Sequence, residues 1–345
     1  MTARMTGHSP TEHSPTGHSL TGHSLTGHSL ERPRALRPGD RVAVLCVSSP
    51  VTDHAALDVG LDALRFAGLD PVVYPSAREP GTLRPYLAGD DKLRASDLTH
   101  ALTDPDVAGI IFAKGGYGAQ RTLEAMDWAA LTSRPPAPKA IAGFSDITAI
   151  LQAVATQLGW ASLFSPTAAT TADGSHYSLA SLLRTLMRPE QATDIAYPRA
   201  VTMVPGTARG VTMGGTLALL ASSIGTPTAA KSAGGGILLL EDVNEEDFRI
   251  DRMLTQLRRC GYLEGIQGIV IGSFTDCGPP EMIESILAER LGALGVPMIA
   301  WADVGHGGPF QTFPIGIAAE LDATARTLHL LDPPLTPAGA APGRR

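Results

Sequence analysis

VAGIIFAKGGYGAQRTL, Val107–Leu123, is the stretch that decides the fold. Seven residues, Val107 to Ala113, are apolar or glycine without alternation, the pattern of a strand buried on both faces. Lys114–Gly118, KGGYG, then breaks the run with glycines that let backbone come close to a neighbour, and a helical pattern begins near Ala119. The same unit recurs on both sides. Upstream, Val42–Val47 reads as a strand, Leu57, Leu61 and Leu64 form one helical stripe stopped at Gly68, and Val72–Tyr74 is a short strand. Asp91–Leu102 reads as a helix, and downstream KAIAG, Lys139–Gly143, is a strand followed by a helix over Asp146–Leu158. Strands alternating with helices predict an α/β fold: a Rossmann-like parallel sheet whose C-terminal strand ends carry the site.

The alternation fades between Phe164 and Arg209, where Pro, Thr and Ala dominate, and resumes with strands at Gly236–Leu240, Gly268–Ser273 and Pro297–Trp301. Helices are expected near Thr216–Ile224, Arg249–Cys260 and Glu281–Leu294. A chain of 345 residues exceeds what one core usually serves, so two domains are expected. Their bounds are 36–165 and 208–331, with a linker at 166–207. The ends read as disordered tails, 1–35 and 332–345. The first carries five near-identical pentapeptides, Thr6 to Leu30, with His8, His13, His18, His23 and His28 on no common helical face, and no function is assigned to it.

Composition excludes several functions. Lys and Arg number 27 against 34 Asp and Glu, a net charge of −7 without a basic block, which argues against nucleic acid. No run of eighteen apolar residues and no signal-peptide core is present, so no membrane partner is expected and the cytoplasm is the expected location. Cys46, Cys260 and Cys277 have no metal-type spacing and an odd count, which suits a reducing compartment.

Three polar residues sit where strands end. Ser145 follows KAIAG at a strand-to-helix turn, where helix N–H groups face an oxyanion formed during acyl transfer. GFSDI has Ile147 in place of the second glycine of the GxSxG elbow, and a helix cap is the simpler reading of that serine. His306, between Gly305 and Gly307, is the candidate base, although the same glycines mark an ordinary turn. Glu241 ends GILLLE and could hold the imidazole, or it could pair with Arg249 or Arg252; Asp242 and Asp303 are competing acids. Gly116 and the N–H of Asp146 are candidate oxyanion donors, whereas KGGYG lacks the patterns that cradle nucleotide phosphates.

Taken in order, GIIFAKGGYGAQRTL, AGFSDITAI, GGILLLEDVNEEDFRIDRML, GIVIGSF and ADVGHG resemble the LD-carboxypeptidases, a serine peptidase family that includes the microcin C immunity peptidases. The likeness runs from about Leu36 to Leu330. It implies a smaller, swivelling-type α/β C-terminal domain, a homodimer, and a triad of Ser145 as nucleophile, His306 as base and Glu241 as orienting acid, assembled across the domain boundary. It also implies an oxyanion hole at Gly116 and Asp146, no metal or other cofactor, and removal of D-alanine from a murein tetrapeptide in cell-wall recycling. The chain departs from the family in two places: Thr216 stands where Asn is common, and FSPT, Phe164–Thr167, lacks the usual glycine before its proline. Arg121 is the candidate for the substrate carboxylate. The alternatives are a peptidyl-nucleotide substrate, which would need an aromatic platform from Trp160 or Tyr177, and a catalytically silent peptide-binding module.

Overall fold

The computed structural model describes residues 29–170 and 176–337. The N-terminal half is β1 (Arg41–Leu45), α1 (His54–Phe66), β2 (Asp70–Val73), α2 (Asp91–Thr103), β3 (Val107–Phe112), α3 (Ala119–Ala125), α4 (Trp128–Ser133), β4 (Ala140–Gly143), α5 (Thr148–Ala153) and β5 (Ser162–Phe164). After it come α6 (His176–Met187), β6 (Asp194–Ala196), β7 (Val201–Val204), β8 (Thr207–Thr216), α7 (Leu217–Ser223), β9 (Gly236–Val243), α8 (Asp247–Arg259) and β10 (Gly268–Thr275). The chain closes with α9 (Pro280–Gly292), β11 (Met298–Ala300), β12 (Phe313–Ile315), β13 (Ala318–Asp322) and β14 (Thr327–Leu330).

The expected α1 stripe is buried at Leu57, Leu61 and Leu64, and Asp53 caps the helix by accepting from the Ala56 N–H at 2.9 Å. α1 and α2 cover the sheet so that β3 is apolar throughout and buried at five of its six positions, as a parallel strand between helices requires. The strand order is β12-β5-β4-β3-β1-β2, so the chain reverses direction across the sheet at β1 and opens a crevice at the C-terminal strand ends. The second sheet, β6-β14-β13-β8-β9-β10-β11-β7, is mixed, with β8, β9, β10 and β11 parallel.

The region expected as a linker is built into both halves. In α6, Leu182 and Leu186 are buried in one core with Leu36, Leu57 and Leu61, while β6 and β7 pair with β14 and β11. Weak local periodicity there conceals long-range pairing. Phe313–Ile315 likewise crosses back to form β12, antiparallel to β5, in the first sheet. The ends also depart from the expected tails. Arg34 bridges Thr336, the Ala35 N–H donates to the Thr336 carbonyl at 2.8 Å, and Leu335 is buried, because each end satisfies backbone groups of the other. The histidine repeats, apart from their final Ser29 and Leu30, and residues 338–345 lie outside the described residues. Among the described residues no helix is long and apolar enough to cross a membrane.

Candidate active site

Among the described residues Ser145 is one of five non-glycine residues at positive φ, with φ +63, in a tight turn between β4 and α5. That conformation costs about 1–2 kcal/mol for a residue with a side chain and is the strained geometry that lifts a hydroxyl off a strand end. The helix expected to start at Asp146 begins as a 3₁₀ turn over Ser145–Ile147, becomes α5, and ends in a π segment over Val154–Leu158. The KGGYG loop lies directly on the serine: a Cβ added to Gly115 would stand 2.9 Å from Ser145 Cβ and 3.2 Å from Oγ, so any larger residue would crowd the hydroxyl.

The Asp146 side chain clamps this arrangement. Its Oδ2 accepts from Ser48 Oγ at 2.6 Å and from the Ala119 N–H at 2.7 Å, tying the β1 loop and the start of α3 to the serine turn. Burial pushes its carboxyl above the ordinary range, against the pull of the Ser48 hydrogen bond. Sequence reasoning used only the backbone of Asp146; the carboxylate partners are 98 and 27 residues away in the chain.

Glu241 comes from the other sheet. It lies within β9, which runs two residues beyond it to Val243, and is fully buried. Its Oε2 is 2.7 Å from His306 Nδ1 and accepts from the His306 N–H at 3.2 Å. The glycine before the histidine permits this approach: Gly305 has φ +110, and a Cβ there would sit 2.5 Å from Glu241 Oε2. The arginines expected to compete for Glu241 are engaged elsewhere. Arg249 donates to Glu245 at 3.1 Å, and Arg252 stacks over the Phe248 ring at 5.4 Å.

The other acids are also assigned. Asp303 pairs with Arg199 at 2.6 Å. Asp242 caps α7, accepting from the Ala218 N–H at 2.8 Å and from its neighbour Val243 at 2.9 Å. Burial, with the nearby Glu241 and Glu245 charges adding to it, pushes Asp242 up to about 7. A carboxyl raised in the folded state keeps its stabilising share below the unfolded value near 4 and loses it as pH rises toward about 7. Asp242→Asn is therefore expected to flatten this part of the stability curve: between pH 4 and 7 the melting temperature of the wild type should fall relative to the variant, by at most a few kcal/mol in stability. Thermal melts across that range check it.

The two halves meet at the aromatic rings. Phe144, next to the serine, lies 4.7 Å from the His306 ring between centroids and 5.0 Å from Phe310, which also contacts Phe164 of the FSPT segment. A cavity of about 610 Å³ opens here, lined among others by Phe144, Pro166, Thr170, Ser178, His306 and Phe310. Arg121, expected to hold a substrate carboxylate, donates to both oxygens of Asp91 on α2, a carboxylate that Arg94 also contacts. Trp160, expected as a stacking surface, is 1% exposed and belongs to the core, and the side chain of Tyr177 lies outside the described residues.

Ser145 on a strained turn of one sheet and the buried Glu241–His306 pair of the other half come together at the Phe144–His306 ring contact beside an apolar cleft, in a two-domain α/β protein. The LD-carboxypeptidase N-terminal domain matches residues 42–165 and the C-terminal domain residues 209–321. A Streptomyces coelicolor protein with a provisional carboxypeptidase name is 46% identical over 89% of this chain and 98% of its own length. The murein tetrapeptide carboxypeptidase of Pseudomonas aeruginosa is 31% identical over 82% of this chain and 93% of its own length. The structure of MccF bound to glutamyl sulfamoyl guanosine covers 88% of this chain and 99% of its own with a TM-score of 0.79, at 20% identity, a likeness of fold. The chain belongs to the LD-carboxypeptidase family.

Proposed function

We propose that the chain is a serine-type carboxypeptidase that removes the terminal D-alanine from murein tetrapeptides. The observation that carries this reading is the 2.7 Å contact of Glu241 with His306 Nδ1, which sets the ring for base catalysis beside the strained Ser145 turn. With Nδ1–H held by the carboxylate, Nε2 is the free base that takes the Ser145 proton. Oγ attacks the scissile carbonyl, and the N–H groups of Gly116 and Asp146 receive the oxyanion. His306 then protonates the departing D-alanine amine, and a water activated through the same nitrogen releases the shortened peptide. The murein tetrapeptide substrate is supported by the name of the Pseudomonas aeruginosa relative. A homodimer acting in the cytoplasm without a cofactor belongs to the same reading, and the free Cys46, Cys260 and Cys277 suit that compartment.

A peptidyl-nucleotide substrate is less well supported, since Trp160 is in the core. The test is mass spectrometry of a murein tetrapeptide incubated with the wild-type protein. Loss of one D-alanine supports the reading; an intact peptide sinks it. Fluorophosphonate labelling of Ser145 in that second case would point to another peptide substrate, and its absence to a silent binding module.

A further inference from the structure

Thr216, the last residue of β8, occupies the junction of the two halves. The buried Glu241 carboxylate meets three donors. His306 supplies two of them, Nδ1 at 2.7 Å and the backbone N–H at 3.2 Å, both to Oε2. The third is the Thr216 hydroxyl, 2.5 Å from Oε1. An ionised carboxylate has no proton to give, so the threonine donates. Without it, Oε1 would be a buried charged oxygen with no side-chain or backbone donor among these contacts, a costly arrangement that rotation of the carboxylate would relieve.

The residue is itself held on the nucleophile's side of the cleft. The Thr216 N–H donates to Thr148 Oγ1 in α5 at 3.1 Å, and Thr216 Oγ1 is 3.3 Å from the Ser145 carbonyl oxygen. Gly215, at φ +141, lets this contact form, because a Cβ there would meet Thr148 Oγ1 at 2.6 Å. Thr216 therefore registers the acid of its own sheet against the serine turn through its hydroxyl and against the following helix through its backbone N–H.

We propose that Thr216 is a positioning residue: its hydroxyl fixes the Glu241 carboxylate with Oε2 toward His306, and so sets the imidazole relative to Ser145. This rests on the roles proposed above for those three residues. The other ionisable groups around the pair are Asp242 and Glu245 in and after β9, Cys277 after β10, and the Arg199–Asp303 ion pair near the His306 loop. None of them takes the place of Thr216 at Oε1 in the contacts of this carboxylate.

Thr216→Val removes the hydroxyl at nearly constant volume, and Thr216→Ser keeps it. Each is measured for folding by thermal melting, for Ser145 labelling rate with a fluorophosphonate, and for kcat, KM and the pH profile on the murein tetrapeptide. In Thr216→Val, kcat and the labelling rate are expected to fall about 10- to 100-fold while KM stays within about threefold. The acid limb of kcat/KM should move to higher pH, because a carboxylate with one donor fewer holds the imidazolium proton more tightly. Thr216→Ser should restore both rates to within about threefold of wild type. Wild-type rates in Thr216→Val would overturn the proposal, as would a Thr216→Ser variant as impaired as valine, which would make the effect one of packing. If the wild type is labelled but leaves the tetrapeptide intact, the substrate reading fails while the labelling rates still decide the role of Thr216. If the wild type is not labelled at all, both fail.

Discussion

Replacing Ser145 with alanine is expected to lower kcat on a murein tetrapeptide by about four to six orders of magnitude, because it deletes the atom that forms the acyl-enzyme. What survives should be the modest rate supplied by oxyanion donors and substrate binding acting on water. Binding itself should change little, since the cavity beside His306 is lined by Phe144, Phe310 and Pro166 and not by the hydroxyl. The variant should fold normally: alanine carries the same penalty as serine at φ +63, so its melting temperature should stay within about two degrees of wild type. Glycine at the same position separates strain from chemistry. Ser145→Gly should be as inactive as alanine yet more stable by about 1 kcal/mol, since glycine adopts positive φ freely. Single-turnover assays with denaturant titration of all three proteins check this pair of expectations. An alanine variant within tenfold of the wild-type rate would remove Ser145 from the nucleophile role.

The second large effect is expected from Glu241→Gln, with kcat/KM lower by about three to four orders of magnitude. The substitution preserves shape and removes charge. In the wild type, every group facing the carboxylate is a donor: Thr216 Oγ1 on Oε1, and His306 Nδ1 and N–H on Oε2. An amide has one oxygen to offer. Whichever way it turns, the hydrogen-bond roles change: either the Thr216 hydroxyl accepts from the NH₂ and turns its own proton to the Ser145 carbonyl 3.3 Å away, or His306 Nδ1 must become the acceptor itself. The latter places the ring proton on Nε2, the nitrogen that must take the serine proton, and leaves a future imidazolium without its counter-charge. Stability should fall as well, by about 1–3 kcal/mol, because the charge-assisted hydrogen bonds of the buried carboxylate are replaced by neutral ones. The pH dependence of the residual activity, together with ring-nitrogen NMR of the His306 tautomer, distinguishes this from simple unfolding.

Much of this was readable along the chain because the relevant signals are local. Buried parallel strands announce themselves as unbroken apolar runs, and β3 and β9 fall where VAGIIFA and GILLL predict them. The candidate serine, glutamate and histidine were found because each interrupts such a run or follows it within a few residues. Arg121 shows where that reasoning stops: a cation near a glycine loop suits an anion, but only the folded chain reveals that it is hydrogen-bonded to Asp91, thirty residues earlier. Trp160 fails likewise, since an aromatic residue at a strand boundary serves a platform or a core equally well in one dimension.

The sequence by itself determined the α/β class and the family and marked three polar residues at strand ends as candidates, because periodicity and short motifs depend on neighbours a few positions apart. Tertiary structure alone decided that Phe313–Ile315 returns to the first sheet, that residues 166–207 are woven into both halves, and that Thr216 lies on Glu241. These contacts join residues up to 153 positions apart, as in the pairing of Ile315 with Ser162, and they depend on which buried polar groups and apolar faces must find partners once the chain is compact. No local pattern encodes that requirement. Satisfying it is what sets Phe144, next to Ser145, against the ring of the His306–Glu241 pair.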